Sequence, residues 1–378
     1  MTPAAKLLCE LIALPSVNPA FLPAGDPRTG EQRVMDFLTA TAGRAGLGIE
    51  LQPVFPGRSN VLARLTPAGR VQRRIVLAPH MDTVGGREEL DGLLRPKVKH
   101  GRVTGRGACD TKGSVAAMLT AVLNVAKARQ RPARTEIVFA ALVDEENGQT
   151  GSRALAASGF KANLAIVGEP TRLKVVTAHK GNLWLQLETR GKSAHGSKPE
   201  LGRNAVHEMA QIVDLLQTTY ASRLKRRRHP LLGHATVNVG TIAGGTQTNV
   251  VPAHCEITVD RRTLPGETEA GVRRELNALL KQRGLKARVG STKGVPCLPL
   301  ETDFQMPLVQ ELLRVAGQKR PVGVDFFCDA SPLAQGGIPG IVFGPGDIAQ
   351  AHTADEWIAL DSLERGTALL TRYLQSLP

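Results

Sequence analysis

The sequence predicts an α/β fold, a mainly parallel sheet covered by helices, into which a second domain of βαββαβ order is inserted. Three features predict it. Short runs rich in β-branched residues alternate with segments of helical periodicity, the pattern of a parallel sheet. Four of those runs end abruptly in polar or glycine-rich turns. Between residues 180 and 291 the alternation gives way to a different order of elements. At 378 residues the chain is long enough for two domains.

The apolar runs come first. Ile75-Val76-Leu77-Ala78 leads into Pro79-His80-Met81-Asp82, and Ile137 to Val143 leads into Asp144-Glu145-Glu146. Leu164 to Val167 leads into Gly168-Glu169-Pro170, and Gly340 to Phe343 into Gly344-Pro345-Gly346, with His352 shortly beyond. Continuous apolar runs of this length are what strands buried on both faces look like. Helical patterns lie between and after them: Ser114 to Gln130, Ser152 to Ser158 and Ser362 to Leu377. The amphipathic first helix ends near Pro15. In an open parallel sheet ligands bind beyond the carboxyl ends of the strands. Here those ends deliver His, Asp, Glu, Glu and His to one rim.

The inserted segment reads as a strand (Leu183 to Thr189), a helix (Asn204 to Gln217), two strands (Thr236 to Ile242 and Cys255 to Arg261), a helix (Glu267 to Lys281) and a strand (Lys286 to Val289). This is the ferredoxin-like order. Residues 1–179 and 292–378 then form one discontinuous domain, with 180–291 inserted in it.

Composition narrows the classes. No stretch approaches the roughly eighteen apolar residues of a membrane span, and the apolar N-terminal run is broken by Glu10, unlike a secretory leader. The five cysteines are odd in number and scattered, with no CxxC pair, so neither a disulfide framework nor a thiolate zinc knuckle is expected. A cytoplasmic location follows as the expectation. The net charge of +14 raises the question of nucleic acid. Its one dense run is Arg223, Lys225, Arg226, Arg227 and Arg228, and aromatics are 3% of the chain. Without aromatics between the cations there is no platform for base stacking, so the run reads as a solvated loop. Neither nucleic acid nor membrane is expected as a partner.

The strand ends supply the parts of a two-metal hydrolytic centre: imidazole and carboxylate ligands, a bridging carboxylate and an unligated base. His80 can ligate one ion. Asp82, two residues on, shares its face if the chain stays extended and can orient the imidazole. Asp110 lies in the glycine-rich turn Gly105 to Gly113, just before a helix, and suits the bridge. Glu145 and Glu146 can divide the work, one as base and one as ligand. Glu169 and His352 complete the set. Each of these residues alone reads as an ordinary strand-end or surface group; their common register makes the metal reading.

The segments PHMDTV, GRGACDTKGS, DEENG, VGEPT and GPGDIAQAHTADE resemble, in order and over nearly the whole chain, the signature blocks of a di-zinc metallopeptidase family. That family comprises acetylornithine deacetylases, succinyl-diaminopimelate desuccinylases, aminoacylases and glutamate-releasing carboxypeptidases. The resemblance implies a catalytic domain with His80, Asp110 and Glu169 on one zinc and Asp110, Glu146 and His352 on the other. Cobalt or manganese would be possible substitutes. It also implies Glu145 as the general base. GKSAHGSKPELGRNAV resembles the block whose histidine, here His195, reaches the active site of the partner subunit, which makes residues 180–291 a lid and homodimerisation domain. TQTNVVP and DRRTLPGE place Asn249 and Arg262 where the family binds the substrate carboxylate. Glu169 points away from aminoacylase-type members, which can carry Asp there. GEPTRLKVVTAHKG and CDASPLAQGGIP are closest to the acetylornithine deacetylase branch. The implied activity is hydrolysis of an N-acyl amino acid, with acetylornithine first, succinyl-diaminopimelate next and a C-terminal-residue peptidase or dipeptidase as the alternative. A non-catalytic binding protein on the same scaffold is disfavoured by the complete ligand set.

Overall fold

A computed structural model describes residues 1–85, 90–292 and 294–378. They divide into two compact units: Met1–Thr177 with Thr302–Val322 and Cys328–Pro378, and Ala178–Glu301 with Gly323–Phe327.

In the first unit the four expected runs are strands Arg73–Ala78, Thr135–Ala141, Leu164–Val167 and Gly340–Val342. Arg73–Ala78 pairs in parallel with both Thr135–Ala141 and Leu164–Val167, and Gly340–Val342 extends the parallel set beside Leu164–Val167. All four carboxyl ends therefore lie on one rim. An antiparallel hairpin, Gly48–Phe55 and Arg58–Leu65, adds an edge beside Thr135–Ala141. It went unread because its outer strand is largely exposed and carries no continuous apolar run.

Helices cover both faces of this sheet. Lys112–Lys127 is buried almost all round, as a helix packed between a sheet and other helices must be. It packs against Pro3–Ile12 and Leu360–Ser376, and these join the sheet in one apolar core with Gln32–Arg44 and Pro307–Val315. Thr150–Ala157 and Ala330–Gln335 pack together against other strands of the sheet.

The second unit is a four-stranded antiparallel sheet in the order Thr236–Gly244, His254–Thr263, Gly181–Arg190, Arg288–Ser291. Helices Ala205–Leu215 and Glu269–Gln282 complete the βαββαβ series, and their apolar stripes close a separate core with the sheet. The dense basic run is not a loop. It lies in and just after helix Ala221–Arg226, with Leu224 buried and Arg223 bonded to Gln282 at 3.0 Å. Arg227 pairs with Glu275 and, at 3.4 Å, with Glu267. Part of the basic run thus fastens this helix to its neighbours.

Among the described residues no helix is long and apolar enough to cross a membrane. The five cysteines are free thiols.

Candidate active site

Three strand ends and two loops of the first unit bring the acidic and imidazole side chains together. His80 follows Arg73–Ala78 and is buried. Its Nδ1 lies 2.9 Å from the backbone carbonyl of Asp82 and 3.5 Å from Asp82 Oδ1. With Nδ1 facing an acceptor, Nε2 is left free to meet other groups. Nε2 is 3.1 Å from Asp110 Oδ1 and 3.8 Å from Glu169 Oε1.

Asp110 sits on the turn before helix Lys112–Lys127, where Gly107 adopts φ +83°, a backbone that favours glycine. Its second oxygen, Oδ2, is 3.2 Å from His352 Nε2. His352 Nε2 is also 3.2 Å from Glu146 Oε2. Two groups of three potential ligands result, His80–Asp110–Glu169 and Asp110–Glu146–His352, with the donor atoms of each within 4.8 Å of one another. Asp110 belongs to both and Glu145 to neither.

The charge balance of this pocket favours a cation. Burial, with the Asp110 carboxylate adding to it, raises Glu146 to about 7. Burial also raises Glu145 and Glu169 well above the ordinary carboxylate range. The Asp110 and Glu146 carboxylates lift His352 to about 10. Glu146 Oε1 and Glu169 Oε1 are buried without a hydrogen-bond partner. Buried carboxylates in excess of buried cations, with oxygens unsatisfied, cost free energy unless a metal neutralises them. The imidazole and carboxylate donors suit a borderline or hard divalent ion. The residues present fit a metal pair.

Apart from Asp82, sequence reasoning missed the groups that hold this constellation. Asp82 accepts the backbone N–H groups of Glu145 and Glu146, each at 3.1 Å, and the Asn18 side-chain amide at 2.7 Å. Asn18 also donates to Asp144, which sits in the left-handed region at φ +65°. Glu31 accepts the Asp144 N–H at 3.2 Å and pairs with Arg58 at 2.6 Å. The Asp110 turn is held by Glu356, whose buried carboxylate accepts N–H groups from Gly107, Cys109 and Asp110. Cys109 packs fully buried, its thiol donating to the Asp347 carbonyl at 3.2 Å. Lys112 reaches the carbonyls of Leu11 and Leu14 at 2.9 and 2.7 Å. Glu356 lies in the same sequence block as His352 and was the most readable of these.

His195, Asn249 and Arg262 belong to the second unit. His195 is exposed, and the Ser197 backbone N–H donates to its Nδ1 at 3.2 Å. The Ser197 hydroxyl also lies 2.7 Å from Nδ1; the backbone N–H can only donate and the hydroxyl can do the same, an arrangement that favours the tautomer with its proton on Nε2. Gly196 donates to the Asn249 carbonyl at 2.7 Å, and a Cβ there would press on the Asn249 backbone at 3.0 Å. The His195 and Asn249 segments thus run side by side. Arg262, on strand His254–Thr263, bonds Asp260 at 2.9 Å and faces the Phe327 ring.

Comparison with known proteins agrees with this fold. Residues 76–376 match the model of peptidase family M20/M25/M40. An acetylornithine deacetylase from Myxococcus xanthus is 32% identical over 90% of this chain and 90% of its own length. One from Edwardsiella ictaluri is 31% identical over 96% and 95%. Among solved structures, the aminopeptidase PepT of Bacillus cereus superposes with a TM-score of 0.80 at 23% identity, covering 99% of this chain and 97% of that one. A dinuclear metal-binding peptidase of Bacillus subtilis does so with a TM-score of 0.71 at 15% identity, covering 98% and 96%. With the family model spanning most of the sequence and relatives above 30% identity along nearly all of it, the chain belongs to peptidase family M20/M25/M40 and is a hydrolase of amide bonds.

Proposed function

We propose that this protein removes the acyl group from an N-acyl amino acid, with N-acetylornithine as the first candidate substrate. The observation that carries the reading is the sharing of Asp110 between two ligand groups, with Glu145 beside them and in neither. His80, Asp110 and Glu169 would hold one zinc ion, and Asp110, Glu146 and His352 the other. When bound, such a pair acidifies water to a pKa of about 7 and polarises the amide carbonyl.

The chain's own groups do the rest. Glu145 accepts the proton of the attacking water and hands it to the leaving amine. Asp82 keeps the His80 ring and the Glu145–Glu146 backbone in place. Asn249 and Arg262 receive the substrate carboxylate, for which the guanidinium fork is suited. His195 of the partner subunit donates Nε2–H to the developing oxyanion, in a cytoplasmic homodimer formed through the second unit. The exposure of His195, with Nδ1 rather than Nε2 engaged by Ser197, supports this role. The sequence relatives above 30% identity named here are acetylornithine deacetylases, which favours the acetyl substrate over a succinyl one or a dipeptide.

The test is a panel of N-acetyl, N-succinyl and N-formyl amino acids and dipeptides, run alongside metal analysis. About two zinc ions per chain are expected, with activity abolished by chelation and restored by zinc, cobalt or manganese. Highest kcat/KM should fall on N-acetylornithine. Active protein free of transition metal overturns the metal reading, and turnover of dipeptides alone moves the protein to the peptidase branch.

A further inference from the structure

We propose that Glu356 is the positioning residue for Asp110, and that through Asp110 it sets the affinity with which the metal pair is held. This rests on the ligand reading given above. The turn that presents Asp110 buries its own backbone donors, and a buried N–H without a partner is destabilising. One carboxylate satisfies them. Glu356 Oε1 accepts from Cys109 at 2.8 Å and Asp110 at 2.9 Å, and Oε2 from Gly107 at 3.0 Å. The Arg106 guanidinium, also buried, completes the set at 2.9 Å to Oε2. The main chain joins in, the Glu356 carbonyl accepting from Gly105 at 2.9 Å.

This arrangement fixes both ends of the shared ligand. The peptide N–H of Asp110 is tied to Glu356, while its carboxylate oxygens face His80 at 3.1 Å and His352 at 3.2 Å. The chain then runs from Glu356 into strand Trp357–Ala359, which pairs with Arg102–Thr104, just ahead of the Asp110 turn. A single segment thus carries His352 and, four residues on, the carboxylate that aims Asp110. Movement of either ligand is transmitted to the other. Partners that orient metal ligands typically change affinity or activity by about 10- to 100-fold when removed.

Glu356→Gln keeps the volume but turns one acceptor into an NH2 donor facing N–H groups. Metal-free protein would be checked for folding by circular dichroism and melting temperature, and its zinc affinity measured by competition with a chromogenic chelator. Zinc affinity about 10- to 100-fold weaker than wild type is expected. Excess zinc should restore kcat with KM near wild type. Arg106→Gln leaves the backbone donors with their acceptor and should lose less. Glu356→Asp, with the carboxylate drawn back, should show an intermediate loss and serves if Glu356→Gln does not fold. A folded Glu356→Gln or Glu356→Asp protein that melts lower yet binds zinc as tightly as wild type overturns the proposal, leaving Glu356 only a structural clamp. Wild-type protein that binds no zinc overturns the metal reading itself, and the role of Glu356 with it.

Discussion

Asp82 Oδ1 accepts the backbone N–H of Glu145 at 3.1 Å, while the same oxygen lies 3.5 Å from the His80 ring. One buried carboxylate therefore links a candidate metal ligand to the backbone of the candidate base. Asp82→Asn places an NH2 group where N–H donors converge and removes the charge that faces His80. We expect kcat/KM to fall by about 10- to 100-fold, with weaker metal retention on dialysis. Steady-state kinetics and metal analysis check it; a folded Asp82→Asn protein with wild-type turnover and metal content would sink the assignment.

Adjacent Glu145 and Glu146 should separate by what they lose. Glu146 meets His352 at 3.2 Å and belongs to a ligand group, whereas Glu145 belongs to none. Glu145→Gln should retain metal and fold but lose about 100- to 10,000-fold in kcat, since nothing accepts the proton of the attacking water. Glu146→Gln should release metal more readily. Metal loss in the first variant and retention in the second would reverse the two roles.

His179 gives the protein a specific acid sensitivity. The ring is fully buried, Nδ1 bonds the Lys180 carbonyl at 2.9 Å, and Nε2 has no partner. Burial pulls its pKa from 6.5 down to about 4. As pH falls, the unfolded chain takes up this proton first, so stability is full above about 6.5 and drains away towards 4. The shift corresponds to about 3 kcal/mol at most. Urea midpoints at pH 7.5 and 4.5 should differ less for His179→Asn than for wild type. Equal pH dependence in the two proteins would show that His179 does not carry this proton linkage.

The parallel strands and the rim they form were legible because continuous β-branched runs have few other uses, and because His80, Glu146 and Glu169 each lie just past the end of such a run. Glu356, Asn18 and Glu31 were not. Glu356 acts on backbone N–H groups some 250 residues away in sequence, and a carboxylate bonded to backbone leaves no trace in the identity of its partners. Asn18 and Glu31 lie near the N-terminus, outside any apolar run, and reach Asp82 and Asp144 only through the fold. The hairpin of Gly48–Phe55 and Arg58–Leu65 was missed for a similar reason: a half-exposed edge strand tolerates Glu50, Gln52 and Pro53. The basic run misled in the other direction, since its charge suggested a loop while buried Leu224 held it as a helix.

The riskiest expectation concerns His195. Its Nδ1 faces the Ser197 hydroxyl at 2.7 Å and the Ser197 N–H at 3.2 Å, which leaves Nε2 of an exposed ring to act as the donor. In the proposed homodimer that donor serves the neighbouring site, where a hydrogen bond to a developing oxyanion acts mainly in the transition state. Losing one such donor costs about 3–4 kcal/mol, so His195→Ala should lower kcat by about 100- to 1,000-fold with metal content unchanged. The decisive measurement mixes His195→Ala with Glu145→Gln. Each parent is defective at both sites, but in the heterodimer one site combines an intact Glu145 with an intact His195, and activity should return towards half the wild-type value per dimer. Co-purification of differently tagged chains must first establish that the heterodimer exists. An active protein that stays monomeric at assay concentration removes the idea outright, and a demonstrated heterodimer without recovery confines His195 to its own chain.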